Sequence, residues 1–229
     1  MAAGLQAGMK RPTSPSPQGA FYAALPLVLA SDSPRRREFL RLLGLKFEIV
    51  RPTGVEPQPL AGENPADYAL RAAQAKAFAA AQARPGAFVL GADTVVALEG
   101  DILGKPRDRR HALDMLLRLS GKSHVVISAC CCCLPDGTAR HTAGEARVHF
   151  FPWPRDVLAA YSATDEVLDK AGAYAVQGRG AFLAQRIEGS VSAVVGLPMA
   201  QLTSLLSELG VIRAHIAGPP LPTDSAIST

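Results

Sequence analysis

No apolar run in these 229 residues approaches the roughly 18 needed for a helix to cross a bilayer. The longest candidate, Phe21 to Ala30, is short and interrupted by Pro26, so no membrane partner is expected. Dense basic tracts are also missing. A pI near 9.0 and a net charge of +4 permit anionic ligands. The lysines and arginines, however, form no dense tract and do not alternate with aromatics, and nothing selects a nucleic acid polymer over a single nucleotide. Cysteine occurs at one place only, Cys130 to Cys133. Neighbours on a strand point to opposite faces, which argues against a four-ligand zinc site or a disulfide framework. These thiols read instead as small apolar residues in a buried strand of a cytoplasmic protein. Aromatics are few, at 6%, but 48% hydrophobic and 19% charged residues describe a globular chain. Internal repeats are absent. Met1 to Ala20 holds no acidic residue, no continuous apolar segment and few arginines, and reads as a disordered extension, with a processed leader as the alternative.

What is present alternates between strands and helices. Pro26 to Ala30 suits a buried strand, and Ser33-Pro34 supplies an N-cap and a first-turn proline for a helix to Leu43, closed by Gly44. A second short strand is expected at Lys46 to Val50, then a loop from Arg51 to Glu63 long enough to be functional. Asn64-Pro65 opens an alanine-rich helix to about Ala83 with Leu70, Ala73 and Ala77 along its apolar stripe. Ala87 to Gly91 and Thr94 to Leu98 form one strand, and Asp108 caps a leucine-bearing helix stopped by Gly121. His124 to Leu134 and Ala146 to Phe151, with the turn Pro135-Asp136-Gly137, predict a long antiparallel pair. A helix over Pro154 to Ser162, an irregular stretch from Asp169 to Gly180, a strand near Ala181 to Ile187 and a helix from Met199 to Leu209 follow. The pattern is α/β with a mixed sheet. Residues 1–22 are expected to be an extension, 23–212 a single catalytic domain and 213–229 a tail.

Three segments carry residues suited to phosphate chemistry. Ser31-Asp32-Ser33-Pro34-Arg35-Arg36 sets hydroxyls and guanidinium groups at a helix start, where free N–H groups favour anions. Gly91-Ala92-Asp93-Thr94 offers a carboxylate at the carboxyl end of a strand, where open α/β sheets place ligands. Lys105 sits in Gly104-Lys105-Pro106, which lacks the spacing and the hydroxyl of a Walker loop. Lys76 stands on the alanine helix, where its ammonium either snorkels to solvent or reaches an anion beyond the helix face. Glu56 lies in the long loop. Gln177 lies among glycines that do not form a dinucleotide fingerprint.

In order along the chain, Leu29 to Arg36, Ala75-Lys76-Ala77, Gly91 to Thr94, Gly104-Lys105-Pro106, Leu119-Ser120-Gly121, Asp169 to Tyr174, Gln177-Gly178 and Val195 to Pro198 resemble the Maf family of nucleoside triphosphate pyrophosphatases. The resemblance covers about residues 26 to 212. It implies a Maf/inosine triphosphate pyrophosphatase-like fold: a mixed, elongated central sheet flanked by helices, with a cleft between two lobes. It also implies hydrolysis of a nucleoside triphosphate between its α- and β-phosphates, assisted by Mg²⁺ or Mn²⁺. Ser31 and Arg35 would then bind phosphate, with Lys76, Lys105 and Glu56 in the catalytic set, Asp93 as proton acceptor, and Glu56 and Asp93 as metal ligands. Arg36, Thr94 and Gln177 match the branch acting on dTTP and UTP, and modified pyrimidine nucleotides are a further substrate class. A glutamine amide can meet the acceptor and donor edge of thymine or uracil. The alternatives are the 7-methyl-GTP branch and a mainly regulatory, septum-inhibiting protein. The resemblance also implies a homodimer and a role in nucleotide-pool housecleaning.

Overall fold

Strand β4, Phe88–Leu98, organises the molecule, because nearly all of its side chains are buried and both faces of the sheet are covered around it. The computed structural model describes residues 19–52 and 57–215. A sheet runs in the order β3, β2, β4, β6, β7, β8, with β5 paired to β4. Its members are β2 (Leu27–Ala30), β3 (Glu48–Ile49), β5 (Asp101–Leu103), β6 (Ser123–Cys133), β7 (Ala139–Phe150) and β8 (Ala184–Gly189). The β3, β2 and β4 pairings are parallel and the rest antiparallel, so the sheet is mixed as expected.

Side-chain alternation along β4 assigns the two faces. Val89 and Val95 point towards the alanine face of α2 (Pro65–Ala83), together with Val28, Ile127, Cys131 and Cys133. Phe88, Leu90 and Ala92 point the other way with Cys130 and Cys132, under Leu40 of α1 (Pro34–Leu42) and Leu202 and Leu206 of α6 (Met199–Glu208). A third cluster, built on α3 (Arg109–Leu119) and α4 (Arg155–Ser162), packs Leu116, Leu119 and Leu158 against Val96, Leu98 and Phe150. The first two clusters sandwich one end of β4 and the third covers the other, which produces the two lobes. All four cysteines are free and buried, two to each face.

The strand ladders place the cleft. The last β2–β4 pair is Ala30 with Gly91, and the first β5–β4 pair is Leu103 with Val96. Between them, no strand among the described residues lies on that edge of residues 92–95 of β4. Asp93 therefore lies in mid-strand, not at a strand terminus as its motif suggests. What ends beside it is β2.

Other differences from the sequence reading have local causes. The expected strand at Lys46 to Val50 shrinks to Glu48–Ile49, an edge element bonded on one side only. β7 begins seven residues before the expected Ala146, because Ala139 to Thr142, though weakly patterned, pair through their backbones with the cysteine run, and Ala143 and Gly144 with Ala129 and Ser128. β8 starts at Ala184, since Ala181 and Leu183 donate backwards to the carbonyls of Gly178 and Gly180. Leu70 is only partly buried, and Ala69, Ala72, Ala73, Ala77 and Ala80 form the buried stripe of α2. Finally β1 (Phe21–Ala23) and β9 (Ile212–Ala214) pair antiparallel, so ordered structure straddles both expected domain boundaries, at 22 and at 212.

Candidate active site

Gly91 sets the distance between α2 and β4. A Cβ at this position would lie 2.5 Å from the Ala73 carbonyl oxygen and 2.6 Å from the Ala77 nitrogen. Glycine thus lets the helix backbone rest on the strand, and the alanine stripe keeps the contact flat. One turn further along this contact, Lys76 Nζ reaches Asp93 Oδ1 at 2.5 Å. Both groups are largely screened, with 18% and 9% of their side-chain surface exposed. The ammonium reaches an anion, the second of the two outcomes open to it from the sequence.

Arg36 occupies the open edge of β4. Its Nη1 donates to the Ala92 carbonyl at 2.8 Å, the group that a longer β2 would have satisfied, and to Ser31 Oγ at 3.2 Å. Nε donates to the Gly196 carbonyl at 3.0 Å and Nη2 to Thr94 Oγ1 at 3.0 Å. Thr94 Oγ1 lies 2.8 Å from Ser128 Oγ, which donates to the Ala193 carbonyl at 2.6 Å. Because the Ser128 proton is committed there, Thr94 is the donor to Ser128. A directed relay therefore runs from Arg36 through Thr94 and Ser128 to α5 (Val191–Val195). Arg35, beside it on α1, donates to the Val195 carbonyl at 3.1 Å. Ser33 caps α1, accepting from Arg36 N–H, as its sequence context indicates.

These residues border a cavity of about 780 Å³. Ser31, Arg35, Arg36, Lys76, Asp93, Thr94, Lys105 and Gln177 all line it, although they come from widely separated segments. Glu56, expected in the catalytic set and as a metal ligand, lies outside the described residues. Pro57, Gln58 and Tyr68 form one rim. That rim is fastened by Arg71, whose guanidinium donates to Glu63 at 2.8 and 2.6 Å and to the Gln58 carbonyl at 2.9 Å. These bonds and the Leu60 N–H hold the Glu63 carboxyl at about 2, well below the usual range.

The sequence reading gave no role to several lining or supporting residues, although Asp169 to Tyr174 stood among its motifs. Tyr174 lines the cavity and its hydroxyl meets His124 Nε2 at 2.6 Å. Burial, with a smaller contribution from His149, lowers the His124 imidazole to about 4, so it is neutral at ordinary pH. Asp169 and Lys170 also line the cavity. Ser128 carries no motif; only its register opposite Thr94 exposes its role.

A cleft between two lobes of a mixed α/β sheet, with cations and one buried carboxylate converging at a sheet-edge gap, defines a phosphoester or phosphoanhydride site as a class. Comparison with known proteins narrows it: residues 26–209 match the family model described as Maf-like protein, and the chain belongs to the Maf family. A relative from Nitratidesulfovibrio vulgaris, named dTTP/UTP pyrophosphatase, is 51% identical over 86% of this chain and 94% of its own length. Another with that name, from Oleidesulfovibrio alaskensis, is 50% identical over 85% of this chain and 90% of its own. Among solved structures, a HAM1 protein from Coxiella burnetii aligns over 80% of this chain and 99% of its own, with TM-score 0.45 and 16% identity.

Proposed function

We propose that this chain hydrolyses dTTP and UTP to the nucleoside monophosphate and pyrophosphate. The observation that carries the reading is the Lys76–Asp93 pair at 2.5 Å inside a cavity that also holds Ser31, Arg35, Lys105 and Gln177. Family membership and the names of the relatives support the substrate class.

In this reading Arg35, Lys105 and Ser31 bind the triphosphate. Ser31 Oγ accepts from Ser33 N–H and from Arg36, which leaves its proton as the group offered to a phosphate oxygen. Asp93 accepts the proton of the water attacking the α–β phosphoanhydride, and Lys76 orients that carboxylate and offsets charge developing on the phosphates. The three residues of the base-specificity set divide their work. Arg36 and Thr94 spend their hydrogen bonds within the wall and shape the pocket from behind, whereas Gln177, exposed on the opposite side, meets the base edge. Modified pyrimidine nucleotides presenting the same edge are further substrates.

Carboxylate oxygens suit a hard divalent cation. Among the described residues no group of three or more His, Cys, Asp or Glu forms a cage, and Mg²⁺ at nucleotide sites takes one or two carboxylates with phosphate oxygens completing its shell. Asp93 and Glu56 would hold Mg²⁺ or Mn²⁺. Bound there, the ion neutralises phosphate charge and sharpens the electrophilicity of phosphorus.

Housecleaning of the nucleotide pool in the cytoplasm, by a homodimer, completes the proposal. No helix among the described residues is long and apolar enough to cross a membrane. The test is pyrophosphate release from dTTP, UTP, CTP and 7-methyl-GTP, each with Mg²⁺ and with Mn²⁺. Turnover should favour dTTP and UTP. Preference for 7-methyl-GTP would overturn the base assignment, and absence of turnover with every nucleotide would overturn the enzymatic one.

A further inference from the structure

Gln177 sits in an irregular segment that no strand ladder among the described residues holds. Its backbone is extended, at φ −116° and ψ 158°, and a single 3-10 turn, Gly178–Gly180, follows. The chain on each side is nevertheless pinned to one pair of side chains. Before Gln177, the Ala175 N–H donates to the Tyr161 hydroxyl at 3.3 Å. After it, the N–H groups of Arg179 and Gly180 donate to Glu166 Oε1 and Oε2 at 3.3 and 3.0 Å. The pair itself is joined, for the Tyr161 hydroxyl donates to Glu166 Oε2 at 2.9 Å.

The fit around this pair is close. A Cβ on Gly178, whose φ is +74°, would lie 2.4 Å from Glu166 Oε1, and one on Gly180 would lie 2.5 Å from the Tyr161 hydroxyl and from the Ala175 carbonyl. Tyr161 is 4% exposed. Burial, reinforced by the Glu166 carboxylate, raises its phenol above the ordinary range, so it stays a neutral donor. Neither Tyr161 nor Glu166 lines the cavity, so neither is in place to touch a substrate.

We propose that Tyr161 and Glu166 are positioning residues for base selection: together they bracket Gln177 and hold its amide where it distinguishes uracil and thymine from cytosine. The inference rests on the proposed role of Gln177 as base reader. An amide selects by direction as well as by type, since its amino end must face O4 and its carbonyl end N3–H of uracil, and cytosine reverses the two. A segment free to wander would present the amide in many places and spend binding energy on ordering it.

The experiment compares kcat/KM for UTP and for CTP in Tyr161→Phe, Glu166→Gln, Gln177→Ala and the double variant Tyr161→Phe/Gln177→Ala. Tyr161→Phe and Glu166→Gln should each lower the UTP-to-CTP ratio by about five-fold, with the loss in KM for UTP. In the double variant Tyr161→Phe should add nothing to Gln177→Ala. A merely structural role would reduce turnover of both nucleotides together and leave the ratio alone. An unchanged ratio in both single variants, or an additive double variant, overturns the positioning role while Gln177→Ala still reports base reading. An unchanged ratio in Gln177→Ala overturns the base reading itself, and the positioning role with it. If Glu166→Gln does not fold, Tyr161→Phe decides, because it removes one oxygen and retains the ring.

Discussion

On one side of the cleft, Asp93 and Lys76 project from an eleven-residue strand and a nineteen-residue helix whose facing surfaces are small and apolar. On the other, Gln177 projects from a segment held by three backbone N–H groups converging on two side chains. The first wall is secured by close backbone packing of α2 on β4 at Gly91 and by the strand ladders of β4. The second depends on a few polar contacts, each of which can be removed separately. The division matches the proposed chemistry: phosphates are the common part of every nucleotide, and the base is the part that must be told apart.

The sharpest way to break the rigid wall is at its reactive end. Asp93→Asn is expected to reduce pyrophosphate release by about 10³-fold, near 4 kcal/mol in activation free energy, with little change in the thermal midpoint. Near-normal turnover would remove Asp93 from the mechanism. Gly91→Ala attacks the same wall by packing. Its methyl would meet backbone atoms of α2 at about 2.5 Å, which should destabilise the fold by about 3 kcal/mol and move Lys76 away from Asp93. Urea denaturation together with kcat measures both effects; an unaltered midpoint would show that α2 yields freely.

His124 sharpens the comparison through pH. Its folded pKa of about 4 lies below the unfolded value of 6.5, so the unfolded chain binds more protons between those values. Stability is then fully present above pH 6.5 and is lost as pH falls towards 4, by roughly 3 kcal/mol at most. The loss should be smaller in His124→Phe, which removes the titration, and a melting-temperature series from pH 7 to pH 4 would reveal it. An equal slope in the variant would assign the acid sensitivity elsewhere. The smallest effect is expected at the Pro57–Gln58 rim. Glu63→Gln weakens a partly buried clamp at the edge of the cavity and should raise KM for the triphosphate about two-fold; a ten-fold rise would mean that the rim contributes directly to binding.

Much of this architecture was legible along the chain because short-range signals dominate it. Ser33, Asn64 and Asp108 each cap the helix that their sequence context indicates. The cysteine run lies in a buried strand, as its small apolar character suggested, and Ser31, Arg35, Lys76, Asp93, Lys105 and Gln177 meet at one cavity in keeping with the ordered motifs. Less legible were features that depend on register. The early start of β7 has no apolar alternation to mark it. The pairing of β1 with β9 joins two three-residue segments nearly two hundred positions apart, each too short to announce itself.

Composition, spacing and caps by themselves determined the α/β class, the positions of the longer helices but not of α5, and the set of groups fit to hold a phosphate chain, since each follows from local conformation and side-chain chemistry. Only the tertiary structure decided what those groups do for one another. It set Asp93 in mid-strand beside the end of β2, turned Arg36 into the wall, brought Lys76 to Asp93 across Gly91, and enlisted Ser128, Tyr161 and Glu166. The physical reason is that contacts across strands and between lobes depend on where two distant segments come to rest, and that position is a property of the packed whole.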